Sequence, residues 1–342
     1  MRTLLNIFKR TAPPSTWSQR FFNVPLIDMG RANPKFQNIY QPEPEIGAAK
    51  IGITEQFLSN SQIYHQKYAH SEHMVELFKR SFEAVGFSPK SNPNILDLGA
   101  GSGKNSLLPM LTIFDNARFV ATDLSPDLLE ILRRYVDQEG LSDRVACVCT
   151  DAMNSLFTAN SFDVVAGVAI LHHLMDPALA IRAAYSALKE GGIAVFYDPF
   201  EGFGLLGLSF KMILDRAARE HLKLDDVVAD FLRAIIIDFD ARRGTDKTAD
   251  RFKYMDDKWL FTRNYFEDVL RSTGFESVKV LARTNHATCF RDLVTDLLRL
   301  GLELTPNALP DWAWETIDLL DCSFSPEMKE DLVMEGAIIF KK

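Results

Sequence analysis

Apolar residues follow two rhythms along this chain, and the alternation of the two outlines its core. Short, nearly continuous apolar runs fall at 94–98, 118–122, 144–149, 162–168 and 193–198. Between them, at about 104–114, 126–137 and 177–190, apolar positions recur every three or four residues. The first pattern predicts buried strands and the second amphipathic helices. Strand and helix in alternation predict a parallel sheet covered on both faces. Gly191-Gly192 is expected to stop the helix at 177–190 before the next strand.

The flanks read differently. Residues 11–60 are rich in Pro, Asn and Gln with little periodicity, which predicts a loosely structured arm. One helix is expected over 62–84, and Pro89 and Pro93 mark a boundary after it. Beyond the core, helices are expected near 205–221 and 224–241. The second carries Val227, Val228, Phe231, Leu232, Ile235, Ile236 and Phe239 at helical spacing, as a packing face. A helix at 264–273, a strand at 277–282, a mostly helical stretch with Trp312 and Trp314 over 283–335, and a last strand at 336–340 complete the pattern. The expected units are therefore an arm and lid helix (1–92), the core (93–198), a helical cap (199–263), a core helix and strand (264–282), a second helical insertion (283–335) and a final core strand (336–342).

Composition narrows the class. At 342 residues, 47% hydrophobic and 25% charged, the chain has the balance of a globular enzyme with ample core. A net charge of −8 and no basic run longer than two argue against nucleic acid or an anionic membrane as partner. Cys147, Cys149, Cys289 and Cys322 are too scattered for a disulfide framework or zinc site, and the first two fit one buried face of a strand. The first ten residues hold too short an apolar stretch for a signal peptide, and no segment has the roughly 20 apolar residues of a membrane span. A cytoplasmic protein is expected.

The candidate chemistry starts at Asn94-Ile-Leu-Asp-Leu-Gly-Ala-Gly-Ser-Gly103 and continues at Val120-Ala-Thr-Asp-Leu124. A glycine turn between strand and helix lets a ligand lie against backbone, and an acid ending the next strand can accept from a ribose. A dinucleotide site wants G-x-G-x-x-G, whereas Gly99, Gly101 and Gly103 are spaced G-x-G-x-G. A P-loop before Lys104 would need a glycine where Leu98 stands and Ser or Thr where Asn105 stands. Neither reading fits.

Asp97-x-Gly99-x-Gly101-x-Gly103 resembles the first motif of the class I S-adenosylmethionine-dependent methyltransferases. The later motifs are similar in order: Asp123 after the second strand, Thr150-Asp151-Ala152 after the third, the 161–177 segment around the fourth, and Leu188-Lys-Glu-Gly-Gly192 before the fifth. The 161–177 segment resembles the small-molecule branch. The resemblance implies an α/β, Rossmann-like, doubly wound sheet of seven mostly parallel strands, with a C-terminal antiparallel strand and helical cap insertions. It also implies S-adenosylmethionine as cofactor. Gly99, Ala100, Gly101, Gly103 and Gly167 would then frame the cofactor. Asp97 would take its ammonium group, Asp123 the ribose hydroxyls, Leu124 the adenine face, and Asp151 with Ala152 the adenine edge. Tyr64 and Tyr68, one turn apart on the lid helix, would close over it. Pro109 is expected to kink the helix after the motif, beyond its first turn.

For a hydroxyl acceptor a base is needed. In one O-methyltransferase branch a catalytic histidine occupies a similar segment, which aligns with His172 of His172-His173. Such a pair also orders this loop in the small-molecule branch. No [DN]-P-P-[YF] follows the fourth strand, which disfavours base-amine and amide methylation, and no aspartate stands just beyond it to hold magnesium. No metal is expected. Trp259, Glu201 and Tyr197 are candidate walls for the acceptor. The expected activity is methyl transfer to a small or medium-sized metabolite at a hydroxyl oxygen. The alternatives are a non-catalytic scaffold of the same fold and, on glycine spacing a poorer fit, an NAD-dependent oxidoreductase. A homo-oligomer stays open, since helix 224–241 suits a dimer surface as well as a lid.

Overall fold

The strand containing the first motif forms at Asn94–Leu98 (β3) and lies in the middle of the sheet. A computed structural model describes residues 16–46, 61–68, 73–88, 91–283 and 286–342. Strands β4 (Arg118–Asp123), β5 (Val145–Cys149), β6 (Phe162–Val168) and β7 (Leu188–Pro199) join β3 in parallel. Strand β9 (Glu335–Lys341) runs antiparallel between β7 and β8 (Ser277–Ala282). In β3 and β5 nearly every residue is buried, as a sheet covered on both faces requires. Cys147 and Cys149 are part of that core.

The sheet has nine strands where seven are expected, because the arm is not loose. Thr16–Gln19 (α1) leads to strands β1 (Leu26–Asp28) and β2 (Ile39–Pro42), and β2 extends the sheet parallel to β5. Leu26 and Ile39 are buried there. The helix expected over 62–84 is two, Ser61–Tyr68 (α2) and Met74–Ala84 (α3). The one after the glycine turn starts late, at Leu107–Ile113 (α4), so Pro109 sits in its first turn. A first-turn N–H has no helical acceptor to lose, and no kink follows. Helix α5 (Pro126–Gln138) opens with Pro126 in its first turn and Ser125 as cap, its hydroxyl accepting from Leu128 N–H.

Gly191 and Gly192 do not end the next helix. That helix, α6 (Pro177–Ala187), closes earlier, and β7 starts at Leu188 with an irregular register against β6 between Phe162 and Val164. Gly191 takes a positive φ of 75° and its N–H donates to the Lys342 carbonyl. A Cβ on Gly192 would stand 2.9 Å from the Lys189 carbonyl oxygen. The two glycines thus shape the start of the strand.

Helices α7 (Gly204–Glu220) and α8 (Asp226–Arg242) form where expected. The stripe on α8 buries Val228, Leu232, Ile235 and Phe239, while Val227 at its N-terminal end is exposed. After α9 (Arg263–Ser272), helices α10 (Cys289–Leu302), α11 (Asp311–Ser323) and α12 (Pro326–Leu332) fill the last insertion. Phe210, Leu232, Phe290 and Ile317, from α7, α8, α10 and α11, share one apolar core separate from the two that flank the sheet. The two insertions therefore build a single helical layer. Among the described residues no helix is long and apolar enough to cross a membrane.

Candidate active site

The carboxyl ends of β3 to β6 open into one cleft. Gly99, Gly101, Asp123, Leu124, Asp151 and Ala152 line it, with His173 at one side. Gly99 and Gly101 both hold positive φ, 67° and 53°. A Cβ on Gly99 would come within 2.7 Å of Ile170, whereas one on Gly101 would meet only Leu128, at 3.9 Å, and would project into the open cleft. Glycine at 101 thus keeps ligand space clear. The Asp123 carboxylate accepts from Gly101 N–H at 2.8 Å and Ser125 N–H at 2.7 Å, which fixes its orientation in the cleft.

Asp97 lies beneath the glycine turn, fully buried and outside the lining. Burial pushes its carboxyl up to about 8, Asp123 adds to the rise, and the Ser106 hydroxyl, donating to Oδ2 at 2.6 Å, opposes it. Oδ1 is buried without a partner among the described residues. A buried carboxylate oxygen in want of a donor is suited to a cofactor ammonium group, directly or through water. Together with the space over Gly101 it makes these residues compatible with S-adenosylmethionine.

Several predicted positions lie behind the cleft. Ala100 is buried and its N–H donates to the Thr122 carbonyl. Gly103 and Gly167 serve packing: a Cβ would stand 2.5 Å from Leu132 at the first, and 2.7 Å from Ile170 and 2.9 Å from Phe196 at the second. The side chains of Tyr64 and Tyr68 lie outside the described residues. On the same helix His65 Nδ1 is 2.6 Å from Ser102 Oγ, which ties α2 to the glycine turn. Pattern reading missed Glu45. From the arm its carboxylate accepts from Thr150 Oγ1 at 2.9 Å, from Asn154 Nδ2 and, at 3.4 Å, from Asp151 N–H. No periodicity marks Glu45; only the pairing of β2 with β5 brings it there.

Beyond β6, Ala169 turns the chain with a positive φ of 53°, its N–H donating to the Tyr197 carbonyl. The histidine pair follows. His172 Nδ1 is 2.7 Å from Asp198 Oδ1, which also accepts the His172 backbone N–H at 3.0 Å. His172 Nε2 is 3.3 Å from Asp257 Oδ1, and Asp257 receives Arg242 Nη1 at 3.2 Å. Burial opposes protonation of His172, but Asp257 and Asp198 outweigh it and lift the imidazole to about 9. His173 is driven down to about 3, by burial first and then by the charge on His172. His172, His173 and Asp257 bring three ligand-type atoms within 4.8 Å, an array that could also hold a metal ion. Protonation of His172 competes with that use.

A second cavity of about 480 Å³ lies against this cluster, within the range of small-molecule sites. Its polar lining includes His172, Asp198, Asp256 and Asp257; its apolar lining includes Phe203, Phe239, Leu297 and Leu300 from the helical layer. Val168, Ala169 and His173 line both cavities. Of the candidate walls, Tyr197 faces this cavity, its hydroxyl 2.7 Å from Ser81 Oγ. Trp259 and Glu201 do not line it. Trp259 is 5% exposed, stacks on Phe261 at 5.6 Å and donates from Nε1 to the Leu174 carbonyl. Glu201 accepts from Gly244 N–H.

Residues 96–196 match the family described as a methyltransferase domain. The release factor glutamine methyltransferase of Chlorobaculum tepidum is 34% identical over 187 residues, covering 45% of this chain and 63% of that protein. A ubiquinone biosynthesis O-methyltransferase of Methylocella silvestris is 28% identical over 128 residues, covering 35% and 48%. The chain thus matches between about half and just under two thirds of these relatives' length. Among solved structures, phosphoethanolamine N-methyltransferase 2 of Haemonchus contortus with S-adenosyl-L-methionine superposes with a TM-score of 0.50 at 18% identity, covering 89% of this chain and 61% of that one. At that identity the likeness speaks for the fold alone. Glycine turn, strand-end acids, sheet order and family match agree on a methyltransferase domain over residues 96–196, with a cleft whose residues suit S-adenosylmethionine.

Proposed function

We propose that the chain methylates a small or medium-sized metabolite at a hydroxyl oxygen, with the acceptor in the second cavity. The observation that carries this is the shared wall: Val168, Ala169 and His173 border both cavities, so a donor in one and an acceptor in the other would meet there. When bound, S-adenosylmethionine supplies a methyl on a sulfonium, whose sulfur keeps the bonding electron pair and leaves as the neutral thioether. The chain's own part is positioning, exclusion of water and custody of one proton. In its neutral form His172 would take the hydroxyl proton on Nε2 as the acceptor oxygen bonds to the methyl carbon. Asp198, held on Nδ1, fixes the tautomer and balances the resulting imidazolium. His173, neutral, would border the acceptor without competing for the proton.

Oxygen as the acceptor atom is supported by this base and by the ubiquinone O-methyltransferase relative. The segment Ala169-Ile-Leu-His172 after β6, where a [DN]-P-P-[YF] would stand, speaks against the amide chemistry named for the release factor relative. The test is His172→Ala, assayed for S-adenosylhomocysteine formation and, by calorimetry, for S-adenosylhomocysteine binding. A loss of at least tenfold in turnover with binding intact is expected, in the range of general-base contributions of about 10²–10⁴. Turnover equal to wild type removes His172 as base, and binding of NAD in place of S-adenosylhomocysteine removes the reading altogether.

A further inference from the structure

The charges around the second cavity constrain what can enter it. Two arginines line it, and each already faces carboxylates. Arg242 Nη1 lies 3.0 Å from Asp238 Oδ2 and 3.2 Å from Asp257 Oδ2, and its Nη2 donates to the Trp259 carbonyl. Arg283 Nη1 donates to Glu335 Oε2. His172 stands between Asp198 and Asp257. Against these cations the lining sets four acids, Asp198, Asp256, Asp257 and Glu335. An anionic group entering here would find every lining cation matched and would meet further carboxylates. Bringing it out of water would go uncompensated.

Asp198 adds to this negative character: it is 4% exposed and its Oδ2 is buried with no partner among the described residues. A phosphate or carboxylate, which only accepts, would add another acceptor beside it, whereas an uncharged acceptor can turn its one hydroxyl hydrogen to His172 Nε2. Much of the rest of the lining is apolar, with Phe203, Phe239, Leu297 and Leu300 among it. That wall favours a hydrocarbon or aromatic body over a sugar, whose hydroxyls would be left unpaired against it.

We propose that the acceptor is an uncharged metabolite with a largely apolar body and its hydroxyl at the Asp198–His172 pair, and that phosphorylated or carboxylated compounds are excluded. This rests on the reading of the second cavity as the acceptor site. Calorimetry on the full chain saturated with S-adenosylhomocysteine would compare 2-naphthol, 2-naphthyl phosphate and 2-naphthoate. Binding of 2-naphthol at least tenfold tighter than either anion is expected. Leu300→Trp, which puts an indole where a lining leucine stands, should abolish that binding and leave S-adenosylhomocysteine affinity unchanged. Glu335→Gln, which releases Arg283, should tighten 2-naphthyl phosphate at least tenfold. Equal or tighter binding of the anions, no binding of 2-naphthol, or 2-naphthol binding that survives Leu300→Trp would each overturn the proposal. None of these outcomes touches the reading of the chain as a methyltransferase, which fails instead if S-adenosylhomocysteine itself does not bind.

Discussion

Asp97 and His172 depart from ordinary acid–base behaviour in the same direction for opposite reasons. Asp97 keeps its proton to about pH 8 because it is buried without a cation. An ammonium docking on it would favour the ionised form, so cofactor binding at pH 7 is expected to release up to one proton, and affinity should rise with pH until it levels off near 8. Calorimetry in two buffers of different ionisation enthalpy measures the release. It should vanish in Asp97→Asn, and its absence in the wild type would exclude the ammonium contact. His172 holds its proton because two carboxylates face it. Its value is raised from 6.5, so the imidazolium stabilises the fold fully below about pH 6.5 and loses that contribution as pH rises through about 9. As the base is the neutral form, kcat/KM should climb over the same interval, with a midpoint near 9, and stay insensitive to chelator. The stability margin of wild type over His172→Gln should shrink as activity grows. A rate that is flat from pH 6.5 to 9 would exclude this base.

At the scale of elements, long runs were legible and short ones were not. Strands at 94–98 and 162–168 and the helix at 126–137 carry several periods of pattern, and each forms within a residue of its expected bounds. Strands β1 and β2 have three and four residues, too few to show alternation, and are held by their neighbours. The misplaced boundary at 187–192 has a different cause. The apolar rhythm continues past Ala187, but the strand pairing of Leu188 with Phe162 wins over a further helical turn. Leu124 and Asp151 were legible as cleft-lining positions because they follow strands. Gly103 and Gly167 show the limit, since a glycine needed for packing reads the same as one needed for a ligand. The helical layer gives a direct check on its independence from the sheet. Leu232 is 1% exposed in the core shared by α7, α8, α10 and α11. Leu232→Ala should cost about 2–5 kcal/mol in a denaturant melt and leave S-adenosylhomocysteine affinity unchanged. A matching loss of affinity would show that the layer also supports the donor cleft.

For the molecule as a whole, the proposed donor and acceptor sides were unequally visible. The donor cleft is drawn from strand ends within 99–175, where order along the chain predicts position in space. The second cavity draws on residues from Met74 to Gly336, brought together only by packing of the helical layer on the sheet, and no local pattern announces it. His172 was legible as a candidate, whereas its partners Asp198 and Asp257 were not, because they lie 26 and 85 positions away in sequence and meet it only in the folded chain.

The left-handed turn at Ala169 sits where the two sides touch, and it sets stability against selectivity. An alanine there is strained by roughly 1–2 kcal/mol, part of which glycine would recover after its own entropic cost. Ala169→Gly is therefore expected to raise the melting temperature slightly or leave it unchanged. It would also remove the one methyl group that position contributes between donor and acceptor, so water should enter and turnover should fall or acceptor range widen. A variant both more stable and equally selective would show that this partition is made elsewhere. Otherwise the residue marks a point where selection for robustness and selection for a single product pull the chain in different directions.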